Sequence, residues 1–226
     1  MHLNLSHDTL ICNGKIKITG SKSETNRLLF LQSLFPNFKI QNKSNSDDSS
    51  IMQAALKSTS DFIDINHAGT AMRFLTSYFS QLEGREVILT GSERMQQRPI
   101  KILVDALRSL GASIEYEKKQ GYPPLKIKGK KLDGGSISLP ANISSQYISS
   151  LIMLGPILKA GIELNLKGTI TSMPYINMTL DLLKRLGIKT EFKGHRILVK
   201  NTSKSKNTIQ VVESDWSSAS YFFSIA

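Results

Sequence analysis

The sequence predicts an α/β (α+β) fold built from three βαβαββ-like units over residues 15–212. Two stretches that begin at Gly84 and Gly161, 77 residues apart, share the frame Gly-x-Glu-apolar-x-Leu-x-Gly. Each frame is followed by a proline, Pro99 or Pro174, that leads into an amphipathic helix. A repeated frame with a repeated continuation indicates one supersecondary unit used more than once.

A first, more divergent copy of the unit precedes these two. Its apolar periodicity predicts helix 22–35, strand 38–41, helix 47–57 and strand 61–65. The connector 42–46 is rich in turn-forming residues, and Ser46 or Asp47 is a plausible cap for the second helix.

The second copy begins with a helix over residues 69–82. Met72, Leu75 and Phe79 recur there at helical spacing, and Gly84 ends the helix. The rest of this copy is predicted as strand 87–89, a helix that ends at Gly111, and strands 113–117 and 125–128.

The third copy begins with a helix over residues 145–159 that is apolar on nearly all sides, which is typical of a buried helix. The remaining elements are predicted as strand 162–166, a helix from Pro174 to Gly187, and strands 189–192 and 196–200.

Two flanking segments fall outside the three copies. Residues 16–18 are predicted as a lone strand, and residues 213–226 as an amphipathic helix capped by Ser214 or Asp215. This helix carries an aromatic run that would be exposed if nothing covered it. We therefore expect residues 21–212 to form a three-repeat lobe, and residues 1–20 and 213–226 to belong to a second, largely absent lobe.

Composition narrows the functional classes. The 226 residues contain one cysteine, which excludes an internal disulfide and a thiolate-rich metal site. Without a signal-peptide layout or a long apolar run, the expected location is cytoplasmic. The net charge of +11 favours anionic partners, but the basic residues lack the aromatic interleaving that is typical of nucleic-acid binding.

Three segments at predicted helix starts point to anion binding, namely residues 20–27, 68–73 and 94–100. Each combines a helix start with at least one fixed cation, and all but the last carry small or hydroxyl residues. Free backbone N–H groups, the positive dipole end and a cation together bind negative groups. Three such segments indicate a ligand with more than one negative group.

The candidate residues of these segments also have ordinary interpretations. Lys22, Ser23 and Arg27 could belong to a simply capped helix, although two cations near a helix start oppose its dipole unless an anion compensates. Gly69, Thr70 and Arg73 form a weak signal alone, and His67 is more often a satisfied surface histidine. Arg98, beside Pro99, could clamp an anion bidentately or be a solvated loop arginine.

Two further helix starts carry hydroxyl groups. Ser144, Ser145 and Gln146 could form a neutral phosphate cradle, and Ser172 with Tyr175 repeats the arrangement with a phenol. Simple capping is the alternative for both. The sequence contains no nucleophilic triad order, Walker loop, dinucleotide fingerprint or metal-ligand spacing, and Asp215 is the only prominent carboxylate near these motifs.

Taken together, the motifs resemble the 5-enolpyruvylshikimate-3-phosphate synthases (3-phosphoshikimate 1-carboxyvinyltransferases). They occur in family order: Gly20-Ser-Lys-Ser with Asn26-Arg27, Ala68-Gly-Thr-Ala-Met-Arg73, Gln97-Arg-Pro-Ile100, Tyr122-Pro-Pro-Leu125, Ser144-Ser-Gln146, Pro174-Tyr-Ile176 and Asp215-Trp-Ser-Ser-Ala-Ser-Tyr221. The resemblance implies one lobe of an enolpyruvyl transferase fold, with three βαβαββ units around a pseudo-threefold axis.

The reaction that this resemblance implies is transfer of the carboxyvinyl group of phosphoenolpyruvate to the 5-hydroxyl of shikimate 3-phosphate, with release of phosphate. No metal or organic cofactor is implied. The implied acid and base carboxylates lie beyond Ala226, so no catalytic residue is identified here and little turnover is expected from this chain alone. The full-length family form is expected to be a monomer.

The resemblance also implies a role for each candidate residue. Lys22 would contact both substrates, Ser23 and Arg27 the carboxylate side of shikimate 3-phosphate, and Gly69, Arg98 and Gln146 phosphoenolpyruvate. The residues implied for the 3-phosphate pocket are Ser144, Ser145, Gln146, Ser172 and Tyr175. Thr70, Arg73 and Asp215 would support the site.

Two departures and two alternatives qualify this interpretation. The family usually has asparagine at His67 and proline at Phe74, which affects the expected shape of the phosphoenolpyruvate edge.

UDP-N-acetylglucosamine carboxyvinyltransferases share the architecture, but they usually have asparagine at the position of Ser23 and a cysteine in the loop before the Arg-Pro helix. A basic RNA-binding module similar to RNA 3′-terminal phosphate cyclases is the alternative from another class, without an evident nucleotide-attaching histidine motif.

Overall fold

The computed structural model describes residues 14–224, in which helices and strands alternate along the chain. The helices are α1 (Lys22–Leu34), α2 (Asp47–Lys57), α3 (Gly69–Gln81), α4 (Glu93–Gln96), α5 (Lys101–Ser109), α6 (Ser145–Leu154), α7 (Met173–Arg185) and α8 (Trp216–Phe223). The strands are β1 (Lys39–Gln41), β2 (Phe62–Asp64), β3 (Glu86–Thr90), β4 (Ser113–Tyr116), β5 (Leu125–Lys128), β6 (Gly135–Pro140), β7 (Ile162–Lys167), β8 (Thr190–Lys193), β9 (Arg196–Val199) and β10 (Ile209–Val211).

Two βαβαββ units are contiguous in the chain and have the same sheet topology. The first has strand order β2-β3-β5-β4, and the second has the matching order β6-β7-β9-β8. In each sheet the first pair is parallel and the following pairs are antiparallel. The identical topology confirms that the repeated sequence frame marks a repeated fold unit.

The remaining unit is assembled from both ends of the described chain. β1 pairs in parallel with β10, so that Ile40 lies opposite Gln210. The connection is tight where α1 begins, because a Cβ atom added at Gly20 would lie 2.0 Å from the Asn42 carbonyl oxygen. Only a glycine allows the backbone to approach this closely.

Three central helices, α1, α3 and α6, pack against one another and form the middle of the lobe. Leu28, Leu75 and Leu151, one on each helix, are fully buried. Outside them, α2 packs against α1 and α3, and α7 packs against α6 and α1. Because the three central helices occupy equivalent places in their units, their N-termini lie at the same end of the lobe.

Several predicted elements need correction. Residues 16–18 form no strand in the structure. The strand predicted at residues 61–65 is β2, which pairs with β3 and therefore opens the second unit instead of closing the first. The helix predicted over residues 145–159 ends at Leu154 and continues as a 3-10 turn, Gly155–Ile157, because Pro156 has no N–H to extend the α-helix.

Hydrogen bonds join the segments that flank the lobe to the lobe and to each other. The Ser21 N–H donates to the Glu213 carbonyl oxygen at 2.7 Å, and the Ser214 hydroxyl donates to the Ile18 carbonyl oxygen at 2.9 Å. On α8, Trp216 and Phe223 stack with ring centroids 5.8 Å apart and are largely exposed. The predicted segment 1–20 falls mostly outside the described residues, as does the end of segment 213–226.

No helix within residues 14–224 has the length and apolar character needed to span a bilayer.

Candidate functional site

A polar cavity of about 560 Å³ lies at the N-terminal ends of the three central helices. It is lined by Thr19, Lys22, Ser23, Arg27, Ser44, Asn45, Ser46, Thr70, Ser144, Ser145, Gln146, Tyr175, Asp215, Ser217, Ser218 and Tyr221. Most of the residues that the sequence singled out are therefore brought together in one cavity, which we call the central cavity.

Helix dipoles and charge make the central cavity favourable for anions. The starts of α1, α3 and α6 contribute lining residues, and so do the caps of α2 and α8, Ser46 and Asp215. A helix N-terminus carries a partial positive charge and unpaired N–H groups. Lys22 and Arg27 add full positive charges, and Asp215 is the one carboxylate among the lining residues of the described chain.

Lys22 and Ser23 lie in the first turn of α1, where Ser21 is the cap and accepts a hydrogen bond from the Glu24 N–H. Because Ser21 caps the helix, the Ser23 hydroxyl is not needed as a cap. The Lys22 side chain is about half exposed, and its Nζ atom lies 3.9 Å from the nearest Asp48 carboxylate oxygen. Such a long, exposed ion pair holds the ammonium group weakly, so it can turn toward a ligand.

Arg27 is almost fully buried in the cavity wall. Its Nε–H donates to the Thr179 hydroxyl at 2.8 Å, one Nη1–H to the Ser23 carbonyl oxygen at 2.8 Å, and one Nη2–H to the Ser149 hydroxyl at 3.0 Å. Of the residues that the structure describes, none offers a carboxylate within ion-pair distance of this guanidinium. Burial lowers the pKa of Arg27 to about 10, so the group keeps its charge at neutral pH.

Gly69 and Arg98 lie against each other beside the central cavity. A Cβ atom at Gly69 would lie 2.3 Å from Arg98 Nη1, so the guanidinium crosses the helix start at a place that only glycine leaves open. Arg98 lines a second, open cavity together with His67, Ser92, Glu93, Arg94 and Met95. His67 is exposed, and its Nδ1 atom lies 3.4 Å from the Ser92 hydroxyl oxygen.

Arg73 lies under this edge of the site and is buried. One Nη1–H donates to the Gly69 carbonyl oxygen at 2.9 Å and reaches Met95 Sδ at 3.8 Å, while Nε has no hydrogen-bond partner. Burial lowers the pKa of Arg73, Tyr147 raises it, and the nearby Arg98 charge lowers it further. Arg73 therefore supports the Gly69 turn without lining the central cavity.

The start of α6 links the two cavities. Ser144 caps the helix by accepting the Gln146 N–H at 3.3 Å, and the Gln146 amide donates to the Thr70 hydroxyl at 3.1 Å. The Tyr147 hydroxyl donates to the Pro99 carbonyl oxygen at 2.5 Å, directly after Arg98. Helices α3 and α6 thus hold each other's first turns in place.

The two candidates at the start of α7 are placed differently. Tyr175 lines the central cavity, with its ring centroid 5.7 Å from Arg27 Cζ. Ser172 is exposed, has φ of 54° and is not among the lining residues. A left-handed serine directly before a helix is uncommon and is typical of a strained backbone.

Asp215 caps α8 by accepting the Ser218 N–H at 2.8 Å. Partial burial opposes its charge, but hydrogen bonds from Ser21 and Ser218 and the positive charge of Lys22 outweigh burial and lower the pKa of Asp215. The cavity therefore contains a carboxylate beside the ammonium group of Lys22.

Sequence reasoning missed part of the cavity wall, namely Thr19, Ser44, Asn45, Ser217, Ser218 and Tyr221. It used Ser46 only as a cap. The residues of the 42–46 connector follow an ordinary turn composition, so no local pattern distinguishes them from a surface loop. Within residues 14–224, no three His, Cys, Asp or Glu side chains are grouped so that they could hold a metal ion.

The fold and the cavity define an α/β lobe of three related units that gathers helix N-termini and cations around one polar cavity. The family model for EPSP synthase (3-phosphoshikimate 1-carboxyvinyltransferase) matches residues 41–226, and this chain belongs to that family.

Relatives agree with this assignment. The 3-phosphoshikimate 1-carboxyvinyltransferase of Bacteroides fragilis (strain YCH46) is 48% identical over 212 residues, which are 93% of this chain and 52% of that protein. The corresponding Colwellia psychrerythraea protein is 37% identical over 239 residues, covering 93% of this chain and 56% of its own length. The chain thus spans about half the length of these curated relatives.

A solved structure supports the fold. The EPSP synthase of Acinetobacter baumannii superimposes with a TM-score of 0.78 at 21% identity, covering 92% of this chain and 52% of that one. The prediction of one lobe of an enolpyruvyl transferase fold is confirmed.

Proposed function

We propose that this chain forms the substrate-binding lobe of an enzyme that transfers the carboxyvinyl group of phosphoenolpyruvate to the 5-hydroxyl of shikimate 3-phosphate. The products would be 5-enolpyruvylshikimate 3-phosphate and phosphate. The observation that carries the proposal is the central cavity, where the starts of α1, α3 and α6 place Lys22 and Arg27 beside several hydroxyl groups. A substrate with a phosphate and a carboxylate matches this arrangement of charge.

Within this proposal the two anions of shikimate 3-phosphate occupy different walls of the cavity. Ser144, Ser145 and Gln146, with Tyr175, bind the 3-phosphate at the α6 start, whereas Ser23 and Arg27 bind the carboxylate. Ser172 would reach the phosphate only after a movement of the α7 start, since it does not line the cavity.

Phosphoenolpyruvate would lie between Lys22, Gln146, Gly69 and Arg98. Cations at this place meet the negative charge that develops as the tetrahedral intermediate forms and phosphate leaves. Thr70 and Arg73 support this edge through Gln146 and Gly69. The chemistry needs an acid and a base, for which we expect carboxylates in a second lobe.

We further propose that residues 1–20 and 213–226 belong to that second lobe and that residues 21–212 form the lobe described here. The exposed aromatic face of α8 is consistent with a covering partner. A cytoplasmic, monomeric full-length protein without a nucleic-acid partner is expected from the sequence.

Calorimetric titration of the purified 226-residue chain with shikimate 3-phosphate tests the proposal. Shikimate serves as the control ligand, because it lacks only the phosphate. We expect phosphate-dependent binding that is lost in Ser144→Ala/Ser145→Ala. A folded chain that binds neither ligand, or binds both equally, would contradict the proposed substrate site.

Turnover is tested separately by mixing the chain with both substrates and measuring phosphate release. We expect none above background. Steady phosphate release would show that the lobe needs no second lobe for its chemistry.

A further inference from the structure

Phe74 lies on α3 and is fully buried. Sequence reasoning connected this position with the phosphoenolpyruvate edge. In the structure its ring centroid lies 5.5 Å from Arg27 Cζ, so the ring faces the guanidinium of α1. The Phe30 ring packs edge-on against it at 6.1 Å, which fixes the orientation of the Phe74 ring.

Arg27 has an unusual set of neighbours for a buried cation. Two aromatic rings, Phe74 and Tyr175, lie within 6 Å of its Cζ atom, while the carboxylates of the described chain lie beyond ion-pair distance. Removing a charge from water is costly unless other groups compensate. The negative face of an aromatic ring is one such group, and it attracts a desolvated guanidinium more strongly than an exposed one.

The hydrogen bonds of Arg27 leave part of the guanidinium available. Thr179, the Ser23 carbonyl and Ser149 accept from three of its five N–H donors. The other two lie on the terminal nitrogens, and Arg27 lines the central cavity. An anion in the cavity would complete this set, provided that the guanidinium plane is kept in its present orientation.

We propose that Phe74 is a positioning residue for Arg27: its ring holds the guanidinium plane so that the remaining N–H donors face an anion in the central cavity. The inference rests on the proposed function, since it takes the carboxylate of shikimate 3-phosphate as that anion. Phe74 would then affect the binding of shikimate 3-phosphate and not that of phosphoenolpyruvate.

The test compares Phe74→Leu with the matched control Phe79→Leu. Phe79 lies on the same helix, is also buried, and packs on Tyr78 at 5.3 Å without contacting Arg27. Both substitutions remove a buried ring from α3, so a general loss of packing affects both. Phe74→Met, which fills the space with a flexible side chain, is the second variant if Phe74→Leu does not fold.

Two measurements separate the inference from the proposed function. The first is the NMR resonance of the Arg27 Nε–H, assigned with Arg27→Lys, because a ring placed over a guanidinium shifts this signal through its ring current whether or not ligand binds. The second is the calorimetric affinity for shikimate 3-phosphate.

We expect Phe74→Leu to shift the Arg27 signal, accelerate its exchange with water and weaken shikimate 3-phosphate binding about tenfold, a size typical of a desolvated cation–π contact. Phe79→Leu should change neither. An unchanged Arg27 signal in Phe74→Leu, or equal loss of affinity in both variants, would overturn the positioning role. A wild-type chain that shows the shifted signal but binds no shikimate 3-phosphate would contradict the proposed function alone.

Discussion

Arg27 and Arg73 occupy matching places in two repeats but have different surroundings. Each donates from Nη1 to the carbonyl oxygen four residues earlier, that of Ser23 or Gly69. Arg27 also bonds two hydroxyls and lines the central cavity, whereas the Nε atom of Arg73 has no partner and its charge lies near Arg98. The repeat thus supplies a buried cation twice, but only Arg27 lines the central cavity.

The difference shows that two copies of a unit can keep a buried arginine at the same place while its surroundings, and therefore its role, change. In the unit that contains α1, three protein acceptors hold Arg27 in place, and two of its N–H donors stay available. In the unit that contains α3, the equivalent arginine supports the Gly69 turn, and Arg98 and Arg94 are the cations that line the second cavity.

Replacing Arg27 by methionine is expected to have the largest effect. Shikimate 3-phosphate affinity should fall at least about 100-fold, because hydrogen bonds to a charged group contribute about 1.5–3 kcal/mol each. Calorimetry with the purified chain measures this. Arg73→Met is the matched control and should keep the affinity within about threefold; similar losses in both variants would remove the functional distinction between the two arginines.

Replacing Arg73 by methionine is expected to raise the free energy of unfolding by about 1–2 kcal/mol. The substitution removes a buried cation whose Nε has no partner, and an apolar side chain of similar length often improves stability at such places. Urea denaturation followed by circular dichroism measures the change. Arg27→Met should bring no comparable gain, since it also removes the hydrogen bonds to the buried hydroxyls of Thr179 and Ser149. A destabilised Arg73→Met would show that Arg73 is as well satisfied as Arg27.

Gly69→Ala tests the comparison between the two arginines in the unit that contains α3. The added Cβ would overlap Arg98 Nη1 at 2.3 Å, so the guanidinium must move aside. We expect phosphoenolpyruvate binding to weaken about fivefold, with shikimate 3-phosphate binding unchanged, because charge-assisted contacts depend on geometry. NMR titration with each ligand in turn measures both affinities. Equal loss of affinity for both ligands would mean that the sites at the starts of α1 and α3 are not independent.

The smallest expected effect is that of Asp215, the cap of α8, which lies near Lys22 at the start of α1. Its pKa is lowered in the folded chain, so its contribution to stability is present above the unfolded pKa and is lost as the pH falls through the folded value. The Ser218 amide resonance should therefore stay constant near neutral pH and shift only under more acidic conditions than an ordinary aspartate requires. In Asp215→Asn, which can still cap α8, that acid transition should disappear; a transition closer to neutral pH in the unsubstituted chain would contradict the lowered pKa.

Much of the fold could be predicted because its signals are local. Caps, terminating glycines and apolar periodicity located α2 and β5 at their observed bounds and placed the starts of α1, α3 and α6 correctly. Strand β10 was missed because three residues carry no periodicity, and its partner β1 is far away in the sequence. Strand β6 was missed although Ile137 and Leu139 alternate with serines, a signal that was present and not used.

The site was predictable only in its polar components. Hydroxyls and cations at helix starts can be recognised in one dimension, which is why Lys22, Ser145 and Gln146 were identified. The burial of Arg27 depends on Phe74, Thr179 and Ser149, which come from three other helices, and no sequence pattern states that they meet. The wall formed by Ser217 and Tyr221 depends likewise on how α8 is placed.

The pairing of β1 with β10 has a consequence for how the chain acquires its structure during synthesis. Helix α1 leaves the ribosome before the other two units, but β10, the strand that completes its unit, follows β1 about 170 residues later. The two contiguous units contain all their own strands and can fold while the chain is still growing. Among the three units of this lobe, the unit that contains α1 is therefore completed last, and the wall of the central cavity needs residues that follow β10, such as Asp215 and Tyr221.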